Sequence, residues 1–252
     1  MRLLLVSDLH YTLKQFDWVY QSAEQFDLVV IAGDLLDIVS VAALEAQIIV
    51  ISKYLKRVQS KTQLVVSSGN HDLNCRDANG ERVAAWLAAE RFPGITVDGQ
   101  HTQIADLKIT VCPWWDGPVG RSAVEIQLAR DAEQRPARWI WVYHAPPDQS
   151  PVSWGGKQHF GDVELRRWIE QYQPDIVLSG HIHQSPFKSA GSWADRIGNT
   201  WVFNAGRQIG PCPTCVIIDL GNRRASWHSF EAQEQVNLDE PLERPFAEFS
   251  PR

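Results

Sequence analysis

Apolar residues follow two rhythms along this chain. Residues 3–6, 28–32, 64–67, 139–143 and 176–179 form short runs rich in leucine and β-branched side chains. Runs of that length without polar alternation read as strands buried on both faces. Between the second and third run the rhythm changes. Leu44, Ile48, Ile51, Leu55 and Val58 recur at helical spacing, with Glu45, Lys53, Lys56 and Arg57 on other faces. That spacing predicts an amphipathic helix. A second helix is expected to start at Asp162 as N-cap, to bury Leu165, Trp168, Ile169 and Tyr172, and to stop before Pro174.

Strands alternating with helices indicate an α/β protein. From Ile95 onward the strand signals close up, at Ile104, 109–112, 200–203, 214–218 and 224–230. A purely doubly wound sheet would keep helices between them. The expectation is therefore two facing mixed β-sheets flanked by helices. One domain is expected over residues 1–230. Residues 231–252, polar and acidic with Pro241, Pro245 and Pro251, read as a C-terminal tail that wraps the surface or frays.

Composition narrows the function classes. With 252 residues, 44% of them hydrophobic and 11 tryptophans, the chain has material for a large core, which excludes disorder and disulfide miniatures. A net charge of -6 argues against a general polyanion binder, and so against a nucleic-acid partner. The apolar start, residues 1–6, is too short for a secretion signal or a membrane span, so a soluble, cytoplasmic protein with no membrane partner is expected. Oligomeric state is not legible. Of the cysteines at 75, 112, 212 and 215, the last two have CxxC spacing. They lack a second pair and run directly into Val216-Ile217-Ile218, so ordinary thiols at a strand start are the simpler reading than a zinc or redox motif.

Candidate chemistry sits where the runs end. The first is followed by Asp8-Leu9-His10, the second by Gly33-Asp34, the third by Gly69-Asn70-His71-Asp72, the 139–143 run by His144, and the 176–179 run by Gly180-His181-Ile182-His183. In α/β sheets ligands bind at that edge. Asp-x-His arises by chance in about a quarter of chains this long, but Gly-Asn-His-Asp in roughly one in a thousand, so the ordered set carries weight that Asp8 and His10 alone do not. Mixed nitrogen and oxygen donors suit Mn, Fe or Zn better than Ca. Asp8, His10, Asp34, Asn70, His144, His181 and His183 are too many for one tetrahedral site and suit two divalent ions sharing a carboxylate.

In that order the motifs resemble those of the calcineurin-like metallophosphoesterase superfamily, nearest the bacterial class III cyclic-nucleotide phosphodiesterases. The resemblance implies the family's four-layer α/β/β/α sandwich. It implies that Asp8, His10 and His183 hold one metal, Asn70, His144 and His181 the other, and that Asp34 bridges. It also implies attack of a metal-bridging hydroxide on a small phosphodiester or phosphomonoester. His71 would then face the substrate beside Asn70 and either stabilise charge or protonate the leaving oxygen, with Asp72 orienting its imidazole. Two divalent cations set against Asp8, Asp34 and one hydroxide leave a formal charge of about +1, so an anionic substrate is compatible with an acidic chain. The segment Asn204-Ala205-Gly206-Arg207 resembles the family's loop after the last ligand strand.

His101, His159 and His228 lack matching context and read as structural or surface residues, His159 having the best claim to a loop over the site. Trp114 and Trp115 read as core or rim, and Arg207 and Lys157 as weak candidates for phosphate contact. The alternatives are a nuclease of the same superfamily, a non-catalytic protein-binding scaffold of this fold, and a zinc or redox protein centred on Cys212 and Cys215.

Overall fold

The computed structural model describes residues 1–135, 137–243 and 247–248. In chain order, β1 (Arg2–Val6), β2 (Leu28–Ala32) and β3 (Gln63–Ser67) pair in parallel. A short hairpin, β4 (Cys75–Arg76) and β5 (Arg82–Val83), follows. Then come the strands of a second sheet: β6 (His101–Ile104), β7 (Leu107–Val111), β8 (Arg138–Val142), β9 (Ile176–Ser179), β10 (Ala194–Ile197) and β11 (Thr200–Asn204). The chain returns to the first sheet with β12 (Cys215–Asp219), β13 (Arg224–His228), β14 (Gln233–Asn237) and β15 (Ala247–Glu248). The sheet orders are β15-β14-β13-β12-β1-β2-β3 and β10-β11-β9-β8-β7-β6. This is the mixed two-sheet architecture expected above.

Strand alternation divides the core into layers. Leu3, Leu5, Leu28 and Val30 point between the sheets and meet Ile109, Ile140, Val142 and Leu178 from the other side. Leu4, Val6, Val29 and Ile31 point outward, under α1 (Leu13–Ser22) and α2 (Leu44–Gln59). On the far side Trp139, Trp141 and Val177 pack under α3 (Pro118–Glu133) and α4 (Val163–Tyr172). Both faces of the inner strands β1–β3, β7–β9 and β11 are therefore dry, which is why those sequences do not alternate.

The periodic residues of α2 behave as their spacing requires: Ile48, Ile51, Leu55 and Val58 are buried and Leu44 is half-buried. Asp162 caps α4 by accepting a hydrogen bond from the Leu165 N–H at 2.8 Å. Cys215 begins β12, where burial pushes its thiol up to about 12, and all four cysteines are free thiols. Within the stretch read as a tail, β14 pairs antiparallel with β13 and extends the first sheet. Among the described residues, no helix is long and apolar enough to cross a membrane.

Candidate metal centre

The polar residues of five strand ends meet at one edge of the sandwich. The corners after β1 and β2 are cross-tied: the Asp8 N–H donates to the Gly33 carbonyl at 3.1 Å and the His10 N–H to the Asp34 carbonyl at 3.0 Å. Asp8, His10, Asp34 and His181 all have left-handed backbone conformations, with φ of 56°, 42°, 53° and 67°. Such conformations are costly for residues with a Cβ and persist where the surroundings over-determine them. Here they turn the chain sharply off each strand and aim the side chains across the edge.

Close approach needs glycine at two of these corners. A Cβ at Gly69 would overlap the Asp34 side chain and backbone nitrogen and the His144 ring, and one at Gly180 would overlap Asp8 and Ser7. The two sheets are joined directly, because the His181 N–H donates to the Asp8 carboxylate at 3.0 Å.

Ligand-type atoms of Asp8, His10, Asp34 and His183 lie within 4.8 Å of one another, and so do those of Asp34, His144 and His181. His183 Nε2 is 3.1 Å from both Asp8 Oδ1 and His10 Nε2. His144 Nδ1 gives its proton to the Ala32 carbonyl at 2.7 Å, which leaves a lone pair on Nε2 of the neutral ring, 3.2 Å from Asp34 Oδ2. That Nε2 is buried and has no hydrogen-bond partner, and neither has the buried Asn70 Oδ1. Orphaned buried acceptors beside two carboxylates are expensive unless a cation satisfies them. The donor set therefore fits divalent metal.

The electrostatics agree. Burial would lower the pKa of His144, but the charge of Asp34 beside it holds the ring up at about 9. Without metal a proton therefore supplies the positive charge at Nε2, and a divalent ion would take that proton's place. Burial would raise the pKa of Asp34, but the protonated His144 ring holds the carboxyl below the usual range. Asp8 is likewise held low, against burial, by its hydrogen bond with His183 and the charge of His144. Burial pushes His10 and His181 down to about 4, so both rings are neutral and free to ligate.

His71 stands next to this group, its ring 4.5 Å from that of His10. The Ile38 N–H donates to His71 Nδ1 at 3.4 Å, so the neutral ring carries its proton on Nε2. The carboxylate facing Nδ1 is Asp37, at 3.8 Å. Asp72, expected to orient that imidazole, has its carboxylate engaged elsewhere. It accepts the N–H groups of Leu35 (3.0 Å), Leu36 (2.9 Å) and Gly69 (2.8 Å) and buckles the corner after β2 to the turn after β3. Asp37 was not singled out by sequence because it belongs to no spaced motif. Only the turn that brings Ile38 back onto His71 reveals it.

Trp114 packs against His181 and His144, with ring centroids 5.2 and 5.7 Å away, while Trp115 stacks on Tyr143 at 4.2 Å. Trp114 thus walls the site, and Trp115 is half-buried against the core under α3 and α4. The remaining histidines lie apart. His159 engages Ser153 Oγ at 3.1 Å, His101 is 3.3 Å from Asp131, and His228 is 2.9 Å from Ser226 Oγ.

Comparison with known proteins agrees with this geometry. A family model described as calcineurin-like phosphoesterase matches residues 1–185. No curated protein matches. Among solved structures, TT1561 of Thermus thermophilus superposes with a TM-score of 0.59 at 16% identity, covering 94% of this chain and 98% of that one. The purple acid phosphatase PPD1 from yellow lupin (Lupinus luteus) seeds gives 0.58 at 13% identity, covering 98% of this chain and 52% of the lupin protein. At these identities the likeness is one of fold.

Proposed function

This chain belongs to the calcineurin-like phosphoesterase family, and from that premise we propose that it uses two divalent metals to hydrolyse a small phosphate ester. Membership makes it a metal-dependent phosphoric ester hydrolase. Residues 1–230 form the catalytic unit, and β14 and β15 beyond it extend the edge of one sheet.

Asp8, His10 and His183 would hold one ion and Asn70, His144 and His181 the other, with Asp34 shared between them. The observation that carries this assignment is the pair of orphaned acceptors, His144 Nε2 and Asn70 Oδ1, buried at the same edge as Asp8 and Asp34. Mn, Fe and Zn all accept these donors. When bound, such ions lower the pKa of water from about 16 to near 7 and polarise the phosphoryl group.

The protein's own groups do the rest. His71 donates from Nε2 to the phosphoryl group. Because Nδ1 accepts the Ile38 N–H, the ring's Nε2 proton is the one directed at the phosphoryl and leaving oxygens as a hydrogen-bond donor. Asp72 is a positioning residue: by holding three backbone N–H groups it fixes where Asp34 and Asn70 stand. Trp114 excludes water from the side of His181.

The test is to strip the protein, add back Mn, Fe or Zn singly, and assay a panel of phosphate mono- and diesters that includes cyclic nucleotides. Binding of about two equivalents of metal with turnover is expected. Failure to bind metal, or stoichiometric metal without hydrolysis of any ester, overturns the proposal.

A further inference from the structure

The loop after β11 is fastened more heavily than its length requires. Asn204, fully buried, donates from Nδ2 to the carbonyls of Val152 and Ile182 at 2.9 and 3.1 Å and accepts the Gly206 N–H at 2.8 Å. Thr214 Oγ1 donates to the Gly206 carbonyl at 2.7 Å, and Gln15 reaches across from α1 to the Gln208 carbonyl at 3.0 Å. Gly206 has φ of +69°, and a Cβ there would overlap Pro186. What this framework presents is Arg207.

Arg207 lies against two residues of the metal centre. Its backbone N–H donates to the His183 carbonyl at 3.0 Å, and its Nε donates to the Asp8 carbonyl at 3.1 Å. The guanidinium is thereby oriented by one nitrogen. Among the described residues no carboxylate forms an ion pair with it and no acceptor takes its Nη1 or Nη2, and it stays half-buried. Other arginines of this chain show the contrast: Arg138 is bidentate on Asp106, and Arg167 is bound to Glu125 and Glu164. A planar fork with two free N–H edges, held at one point beside a cation centre, suits two oxygens of a phosphate.

The number of terminal oxygens indicates which phosphate. A monoester offers three and a diester two, so a guanidinium with free N–H groups, beside a centre that would engage two oxygens, still finds a partner on a monoester, and its added charge favours the dianion. We infer that Arg207 is a substrate-phosphate clamp that makes this site prefer phosphomonoesters. The inference rests on the proposed phosphoesterase reading and adds the substrate class.

The experiment uses the full chain loaded with metal. It compares kcat/KM for 4-nitrophenyl phosphate and bis(4-nitrophenyl) phosphate and measures the affinity for inorganic phosphate by calorimetry. Wild type is expected to favour the monoester. R207Q should lower monoester kcat/KM and phosphate affinity about 10- to 100-fold and diester kcat/KM less than about 3-fold, the size expected for a charge-assisted hydrogen bond. R207K, which keeps the charge without the fork, should recover part of the monoester rate and serves as the second variant if R207Q does not fold. A wild type that prefers diesters, equal losses on both esters, or unchanged phosphate affinity in the variants overturns the inference. Absence of turnover on either ester by metal-loaded wild type instead overturns the phosphoesterase reading, and the calorimetry still decides whether Arg207 binds phosphate.

Discussion

The two open edges of the sandwich are both rich in charge, yet they are built differently. At the edge where β7, β8, β9 and β11 begin, a cavity of about 270 Å³ is lined by Arg138, Arg196 and Arg223 together with Asp175 and Asp239. Most of that charge is settled within the protein. Arg138 takes Asp106 at 2.8 and 3.0 Å, Arg223 takes Asp239 at 2.9 Å, and Arg196, whose Nε is left over, gives Nη1 to the Glu240 carbonyl. At the opposite edge, His144 Nε2 and Asn70 Oδ1 have no hydrogen-bond partner and Arg207 no ion pair among the described residues, and four candidate ligands, Asp8, His10, Asp34 and His181, have left-handed backbones. Charge density alone therefore does not mark the working end. What marks it is valence left unsatisfied and held in place by strain.

The sharpest way to break this comparison is to substitute residues at the metal edge, where the largest losses are expected. Asp34→Ala should lower kcat/KM on a nitrophenyl phosphate ester by about 10,000-fold and reduce bound metal, read by elemental analysis. His71→Ala should cost ~100- to 10,000-fold while bound metal is unchanged, so metal analysis separates the two roles. Loss of metal from the His71 variant would move that residue into the ligand set.

Protonation of the unloaded centre separates the rings from their surroundings. His10 and His181, pushed down to about 4 by burial, resist protonation in the fold, whereas the unfolded chain's histidines take protons near 6.5, so their contribution is fully present above pH 6.5 and is lost as pH falls toward 4. Asp72 and Asp98, pushed up to about 7 and about 6 by burial, act in the opposite sense over the same window. The stability difference between metal-free wild type and His181→Asn should therefore move in favour of the variant as pH falls from 6.5 to 4. A difference that does not change with pH would mean that the His181 ring is not buried neutral.

Smaller effects sharpen the picture. Asp72→Ala leaves three backbone donors without their acceptor and should cost about 3 kcal/mol of stability by denaturant unfolding. It should also weaken metal binding by about 10- to 100-fold, since the loops it ties carry Asp34 and Asn70. At the other edge, Arg223→Ala removes an exposed ion pair and should change stability by less than about 1 kcal/mol, with turnover unaltered.

Much of this architecture is legible in the sequence because the strands are dry on both faces, so 28–32 and 176–179 stand out as unbroken apolar runs. The residues that gather at the metal centre are legible because each follows such a run. The helix α3 is not, because its buried side includes Gln127 and Asp131, which bond inward to the Val111 carbonyl and to Thr110 Oγ1, and apolar periodicity is lost. Asp37 and the anchoring of Arg207 are hidden for another reason: each depends on a contact between distant segments. The strand β14 is hidden by its polar sequence, QEQVN, which is suited to an outer strand whose residues are mostly half-exposed.

Strand order has a consequence for biosynthesis. Among the described strands β1 is made before its neighbours, and it lies in the finished sheet between β2 and β12, so one neighbour follows with residues 28–32 and the other only with residues 215–219. At translation speeds of about 5–20 residues per second, the leucine-rich segment Arg2–Val6 waits roughly 10–40 s with a bare hydrogen-bonding flank. His181 and His183 emerge late in the same interval. A nascent polypeptide can therefore complete neither the ion-binding corner nor its first sheet until residues 181–219 have been made, and during that delay the unpaired flank is exposed to chaperones and to neighbouring chains alike.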